Sequence, residues 1–130
     1  MKAIGFALVA ALTVSAGAAQ AYSAINGFTV NRLSNGNFAV MNRGGLSAAN
    51  AWCAAGDYVM SVLGVHPSTL VWRISEPPRP RGANIEFSLS SAGAASSTGI
   101  ATLGGNGSAS MVAVSARNMC LGLNAPGFRR

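Results

Sequence analysis

The chain has 130 residues and a mass of 13.1 kDa, which is enough for one small domain. Hydrophobic residues make up 50% of it and charged residues only 9%, a composition that excludes an intrinsically disordered chain. Nine basic residues against three acidic ones give a net charge of +6, and one histidine with three carboxylates leaves little material for acid–base catalysis.

The first 21 residues have the composition of an export signal. A single lysine supplies the positive start, and residues 3–16 carry no charge. Ala19 and Ala21 are small residues at the two positions that a signal peptidase requires, so we predict cleavage between Ala21 and Tyr22. The apolar run is shorter than the roughly 20 residues that cross a bilayer, which favours a cleaved signal over a membrane anchor.

Cleavage there leaves a mature chain with eight arginines, no lysine and three carboxylates. No cysteine follows the cut, which argues against a lipid anchor, and no later apolar stretch is long enough to span a membrane. We therefore predict an exported protein, periplasmic or extracellular. Its single domain covers residues 22–120, and residues 121–130 form a flexible tail.

Two strands open the mature chain in this prediction. Apolar and polar residues alternate in residues 27–33 and again in 37–42, as they do in a half-buried strand. Asn35 and Gly36 between them tolerate positive φ, which predicts a hairpin turn.

A helix is predicted over about residues 46–63. Ser47 is a suitable N-cap, and the alanine-rich run that follows favours helix. Gly56 either permits close packing of the helix or ends it, with a strand starting at Tyr58. We favour one continuous helix.

Further strands follow in residues 69–74 and 84–90, where apolar and polar residues alternate again. A proline-rich loop joins them. Residues 100–103 and 110–115 are predicted as a last hairpin around the glycine-rich turn 104–107. The fold class is therefore α+β: a mostly antiparallel sheet of five to six short strands with one helix packed on it.

Two cysteines remain after cleavage, Cys53 and Cys120. In an oxidising compartment such a pair usually forms a disulfide, which we predict here. Two free thiols, an intermolecular link and a reactive Cys53 are the alternatives. The bridge would join the predicted helix to the last strand.

The sequence offers few candidate residues for a catalytic or metal site. A Cys53 nucleophile would need His66, the only histidine, as its base, and Asp57 is the nearest carboxylate in sequence. With two cysteines, one histidine and no paired ligand spacing, we predict no metal and no cofactor. We predict that the protein is not an enzyme, with a Cys53/His66 thiol enzyme as the weakest alternative.

Three arginines are the strongest candidates for binding. Arg79 and Arg81 lie on the proline-rich loop, and Arg73 is close in sequence. Arginine binds phosphate and carboxylate groups through two parallel hydrogen bonds. These residues could form an anion-binding site for lipopolysaccharide, anionic lipid or nucleic acid, or they could simply keep a weakly charged domain soluble.

The segment from Trp52 to Tyr58 reads W-C-A-A-G-D-Y and is followed by Val62-Leu63-Gly64. This pattern resembles small exported bacterial proteins of unknown function that carry W-C-x-A-G-D-Y, then V-L-G, an apolar strand, a basic loop and a late cysteine. The likeness covers about residues 38–120. It implies an exported Gram-negative protein with a characteristic cysteine, and it implies no activity.

The leading functional hypothesis is a non-enzymatic, disulfide-bonded interaction or accessory module of the cell envelope. An envelope protein or an anionic surface would be its partner. An anion-binding module that uses Arg73, Arg79 and Arg81 is the alternative.

Overall fold

The computed structural model describes residues 21–100 and 108–124. The predicted signal up to residue 20, the turn 104–107, residues 101–103 of the predicted strand and the last six residues lie outside the described part. The predictions made for those segments therefore stay predictions.

The described residues form one six-stranded antiparallel sheet and two helices, which confirms the predicted α+β fold. The strands are β1 (Tyr22–Ser23), β2 (Thr29–Arg32), β3 (Phe38–Val40), β4 (Leu70–Arg73), β5 (Ile85–Ser88) and β6 (Ser110–Val112). The helices are α1 (Ala48–Ser61) and α2 (Ala113–Asn124). The spatial order of the strands is β1-β2-β3-β5-β4-β6, so β4 and β5 are exchanged relative to the chain order.

Strand register places the apolar side chains on one face of the sheet. Phe38 is paired with Phe87 on β5, and Val40 is paired with Ile85. Because side chains alternate along a strand, these residues share a face, and all four are buried in the core with residues of both helices. The rings of Phe38 and Phe87 lie 6.1 Å apart, and Trp52 of α1 meets Phe87 edge-on at 4.8 Å.

Helix α1 forms where the sequence predicts it. The Ser47 hydroxyl accepts a hydrogen bond from the Asn50 N–H at 3.1 Å, which is the expected N-cap. Gly56 does not end the helix, so the prediction of one continuous helix is confirmed.

A second helix replaces the second half of the predicted last strand. The β-branched residues Val112 and Val114 predict an extended backbone in residues 110–115. Strand β6 ends at Val112, and Ala113 begins α2. Ala113, Ala116 and Cys120 follow a helical spacing and are buried, whereas Val114 is exposed. The small side chains at these positions let α2 pack closely on α1. This packing outweighs the local preference for strand.

Candidate functional site

Several residues of the W-C-A-A-G-D-Y segment have internal structural roles. Trp52 is fully buried, and its indole N–H donates to the carbonyl oxygen of Thr98 at 3.0 Å. Tyr58 packs its ring 4.9 Å from that of Phe38. Cys53 and Gly56 face α2. The segment therefore joins α1 to the sheet, to the loop that contains Thr98, and to the second helix.

The predicted disulfide is confirmed as an intramolecular bridge between Cys53 and Cys120. It connects the two helices, with the two Cα atoms 4.8 Å apart. In this state the Cys53 sulfur is bonded and is not a thiolate. His66 lies on an exposed turn, where its Nδ1 is 2.6 Å from the Ser68 hydroxyl and accepts from the Ser68 N–H at 3.1 Å.

Gly56 marks the closest approach of the two helices. A Cβ atom built on Gly56 would lie 2.3 Å from the backbone nitrogen of Arg117 and 2.7 Å from the carbonyl carbon of Ala116. Both distances are far below van der Waals contact. Glycine is therefore required here by space, since any side chain would push the helices apart.

Asp57 is the centre of a group of polar contacts that we call the Asp57 cluster. Its carboxylate accepts from the Tyr22 hydroxyl at 2.8 Å, from the Ile25 N–H at 3.0 Å and from the Ser61 hydroxyl at 3.0 Å. The Arg117 Nε atom lies 3.5 Å away. Asp57 is only 3% exposed, so its charge is compensated inside the protein. The cluster connects the N-terminal strand with both helices.

The pKa of Tyr22 is raised by this environment. Burial is the larger cause, and the hydrogen bond to Asp57 adds to it, because an ionised phenolate could not donate to the carboxylate. The phenol is therefore held in its neutral, donating form.

Arg73 has an internal role in this structure. It is 2% exposed, and its guanidinium donates to the carbonyl oxygens of Ser75 at 2.7 Å and Thr98 at 3.0 Å. Burial lowers its pKa, and the charge of Arg79 lowers it further. Gly99 packs so closely that an added Cβ would lie 2.3 Å from Nη1. Arg73 therefore ties β4 to the loop over residues 89–100. It is not among the residues that line the open cavity beside Arg79 and Arg81.

Arg79 and Arg81 meet at the start of α1, where they line an open cavity of about 560 Å³. We call it the arginine cavity. Its lining residues are Asn42, Gly45, Leu46, Ser47, Ala48, Arg79, Arg81 and Gly82. None of these lining residues carries a carboxylate.

The two arginines differ in how they are held. The Arg79 guanidinium donates to the carbonyl oxygens of Ala83, at 2.9 Å, and of Leu46. These bonds fix Arg79 between its own loop and the residue just before the N-cap of α1. Arg81 is exposed to solvent. The cavity therefore combines one anchored and one accessible guanidinium.

The first turn of α1 adds to the positive potential of this cavity. Ser47 and Ala48 belong to its lining, and backbone N–H groups at a helix start carry a partial positive charge. Sequence reasoning chose Arg79 and Arg81 but missed Asn42 and the helix start. The available signal was Gly44-Gly45 just before the cap, which indicates a sharp turn that brings Asn42 close to Ser47.

Searches of protein-family models, curated proteins and solved structures found no match to this chain. Within residues 21–100 and 108–124, no helix is both long and apolar enough to cross a membrane. In the same part of the chain, no three or more histidine, cysteine, aspartate or glutamate residues are grouped so that they could hold a metal ion.

Proposed function

We propose that this chain is an exported, non-enzymatic binding module of the cell envelope, held together by the Cys53–Cys120 disulfide. The bridge supports export, since such bonds persist in oxidising compartments and are rare in the cytosol. The internal use of Cys53 and Asp57 supports a binding role over thiol catalysis.

The arginine cavity is the binding site in this proposal, and its ligand is an anionic group. The observation that carries it is the convergence of Arg79 and Arg81 on a cavity whose lining residues include no carboxylate. An anion entering this cavity would meet two guanidinium groups and the helix start, and no opposing acidic side chain.

The anchoring of Arg79 supports this choice over simple surface charge. A guanidinium already fixed by two carbonyl oxygens loses little conformational entropy when it binds a ligand. Arg73 is left out of the site because its guanidinium is buried and bonded to Ser75 and Thr98. This revises the three-arginine set expected from sequence to two.

A matched pair of arginine variants tests the site. Arg81→Ala removes an exposed cavity arginine, and Arg32→Ala removes another exposed arginine, on β2 and outside the cavity lining. Binding of the mature protein would be measured against phosphatidylglycerol vesicles, lipopolysaccharide and a short oligonucleotide, with phosphatidylcholine vesicles as the neutral reference.

We expect Arg81→Ala to weaken binding to the preferred anionic probe about tenfold, since a charge-assisted hydrogen bond contributes about 1.5–3 kcal/mol. Arg32→Ala should change it by less than about twofold, as expected for a screened surface charge. Affinity should also fall steeply as salt rises. Equal losses in the two variants would indicate unspecific attraction by net charge and would exclude the cavity as the site.

The export part of the proposal has its own measurement. Intact mass of the exported protein, with and without alkylation under non-reducing denaturing conditions, reports the first residue and the number of free thiols. A chain that starts at Tyr22 and takes up no label supports the proposal. Uptake of two labels would show free thiols and would favour a reactive Cys53.

A further inference from the structure

The predicted cleavage junction lies directly beside the folded sheet. We propose that a signal peptidase can cut the Ala21–Tyr22 bond only while the domain is unfolded, so that cleavage precedes folding. This inference rests on the proposed export of the protein. It adds an order of events that the export proposal does not contain.

The backbone just after the junction is already engaged in the folded state. Tyr22 is paired with Val30 and Ser23 with Thr29 in the antiparallel ladder between β1 and β2. Beyond them the Ala24 N–H donates to the Phe28 carbonyl at 2.9 Å, which continues the pairing. A protein cleft that binds an extended peptide uses these same backbone groups. In the folded domain β2 already occupies one side of this segment.

The side chain after the junction is held as well. The Tyr22 hydroxyl donates to Asp57 at 2.8 Å, and the N–H of Ile25, three residues further on, donates to the same carboxylate oxygen at 3.0 Å. The Tyr22 ring also packs 5.9 Å from that of Tyr58. One buried carboxylate therefore holds the segment at the first residue of β1 and again two residues after its end.

Cleavage itself is a hydrolysis that needs only water and the peptidase. Water adds across the Ala21–Tyr22 peptide bond and gives a carboxylate on Ala21 and an amine on Tyr22. The scissile bond stands immediately before Tyr22, the first residue of β1, and β1 is only two residues long. The peptidase therefore has to detach β1 before it can enclose the bond.

The test compares folded and unfolded full-length chains of residues 1–130. One sample is oxidised and folded, the other is reduced and diluted from denaturant directly into purified signal peptidase, in the same detergent. Intact mass follows the initial rate of cleavage and identifies the bond cut. We expect the folded chain to be cut at least about tenfold more slowly, because proteolysis of a folded segment tracks the fraction of molecules in which it is open.

Two matched variants locate the cause of the protection. Tyr22→Phe keeps an aromatic residue after the scissile bond and removes only the hydroxyl that Asp57 accepts from. It should speed cleavage of the folded chain about tenfold, the effect of one hydrogen bond to a charged group, and leave the unfolded chain unchanged. Asn37→Ala also removes one hydrogen bond to a carboxylate, that of Glu86, but away from β1, so it should leave both rates close to those of the wild type.

Each failure has a distinct meaning. Equal rates for the folded and unfolded wild-type chains would overturn the order of events while leaving export intact. A protected folded chain in which Tyr22→Phe has no effect would overturn the role of the Asp57 contact. An unfolded chain that is not cut at Ala21–Tyr22 would overturn the predicted junction itself, and with it this part of the proposed function.

Discussion

The Asp57 cluster and the arginine cavity use ionised groups in opposite ways. Asp57 is buried, and its described partners are a tyrosine, a backbone amide, a serine and an arginine of the same chain. Arg81 lies exposed beside an open cavity, and none of the described residues that line it carries a carboxylate. Internally compensated charge stabilises the fold, whereas charge presented to solvent is available for a ligand. Variants of the two regions should therefore separate stability from binding.

The disulfide beside the Asp57 cluster should give the largest effect. A double variant Cys53→Ala/Cys120→Ala should lose about 4 kcal/mol of unfolding free energy, since the bridge closes a long loop, with a sequence separation of 67 residues. Urea unfolding followed by tryptophan fluorescence measures this loss. The wild type under reducing conditions is the control and should fall by a similar amount. A loss below about 1 kcal/mol would show that helix packing alone holds α1 against α2.

Gly56→Ala should have the next largest effect. The added methyl group would lie 2.3 Å from a backbone atom of α2, and overpacking of a core typically costs about 1–3 kcal/mol. Ala49→Ser in the same helix is a suitable control because Ala49 is only half-buried. Chemical denaturation compares the two. A Gly56→Ala variant as stable as the wild type would show that the helices can separate at no cost.

Ionisation of Tyr22 should give a smaller and pH-dependent effect. Burial and the Asp57 contact raise its pKa above the ordinary value of 10.0. Above about pH 10 the unfolded chain therefore releases a proton that the folded chain retains. The stability that the neutral hydroxyl contributes is therefore fully present and constant at neutral pH, and it is lost as the pH rises through that range. Thermal unfolding between pH 8 and 11 measures the slope, and Tyr22→Phe should have a shallower one. Identical slopes in the two proteins would exclude the contact as the cause.

Sequence reasoning predicted the elements whose signal is local. Alternation predicted β2 to β5, and the Ser47 cap with its alanine-rich run predicted α1. Helix α2 was missed because Val112 and Val114 favour strand, while the helical spacing of Ala113, Ala116 and Cys120 becomes informative only once α1 is known to lie against it. Long-range packing decided that segment, and a single sequence does not display it.

The candidate site could be predicted from the sequence only in part, because it too depends on long-range packing. Arg79 and Arg81 follow from loop composition, but their approach to the start of α1 depends on the exchange of β4 and β5 in the sheet. Arg73 lies six residues before Arg79 in the chain and was grouped with it. Strand alternation puts its side chain on the buried face of β4, level with Phe87. Nearness in sequence therefore gave the wrong grouping. The two-residue period of β4 would have assigned Arg73 to the buried face and separated it from Arg79.

The smallest change in stability is expected for a substitution in the arginine cavity. Arg81→Ala should alter the unfolding free energy by less than about 0.5 kcal/mol, since Arg81 is exposed and surface substitutions rarely exceed that. The same variant is expected to lose anion binding about tenfold, as one charge-assisted hydrogen bond would. Denaturation and binding measured on one preparation therefore separate the two roles. A large loss of stability would mean that Arg81 supports the loop, and the arginine cavity would then belong, like the Asp57 cluster, to the internal structure of the fold.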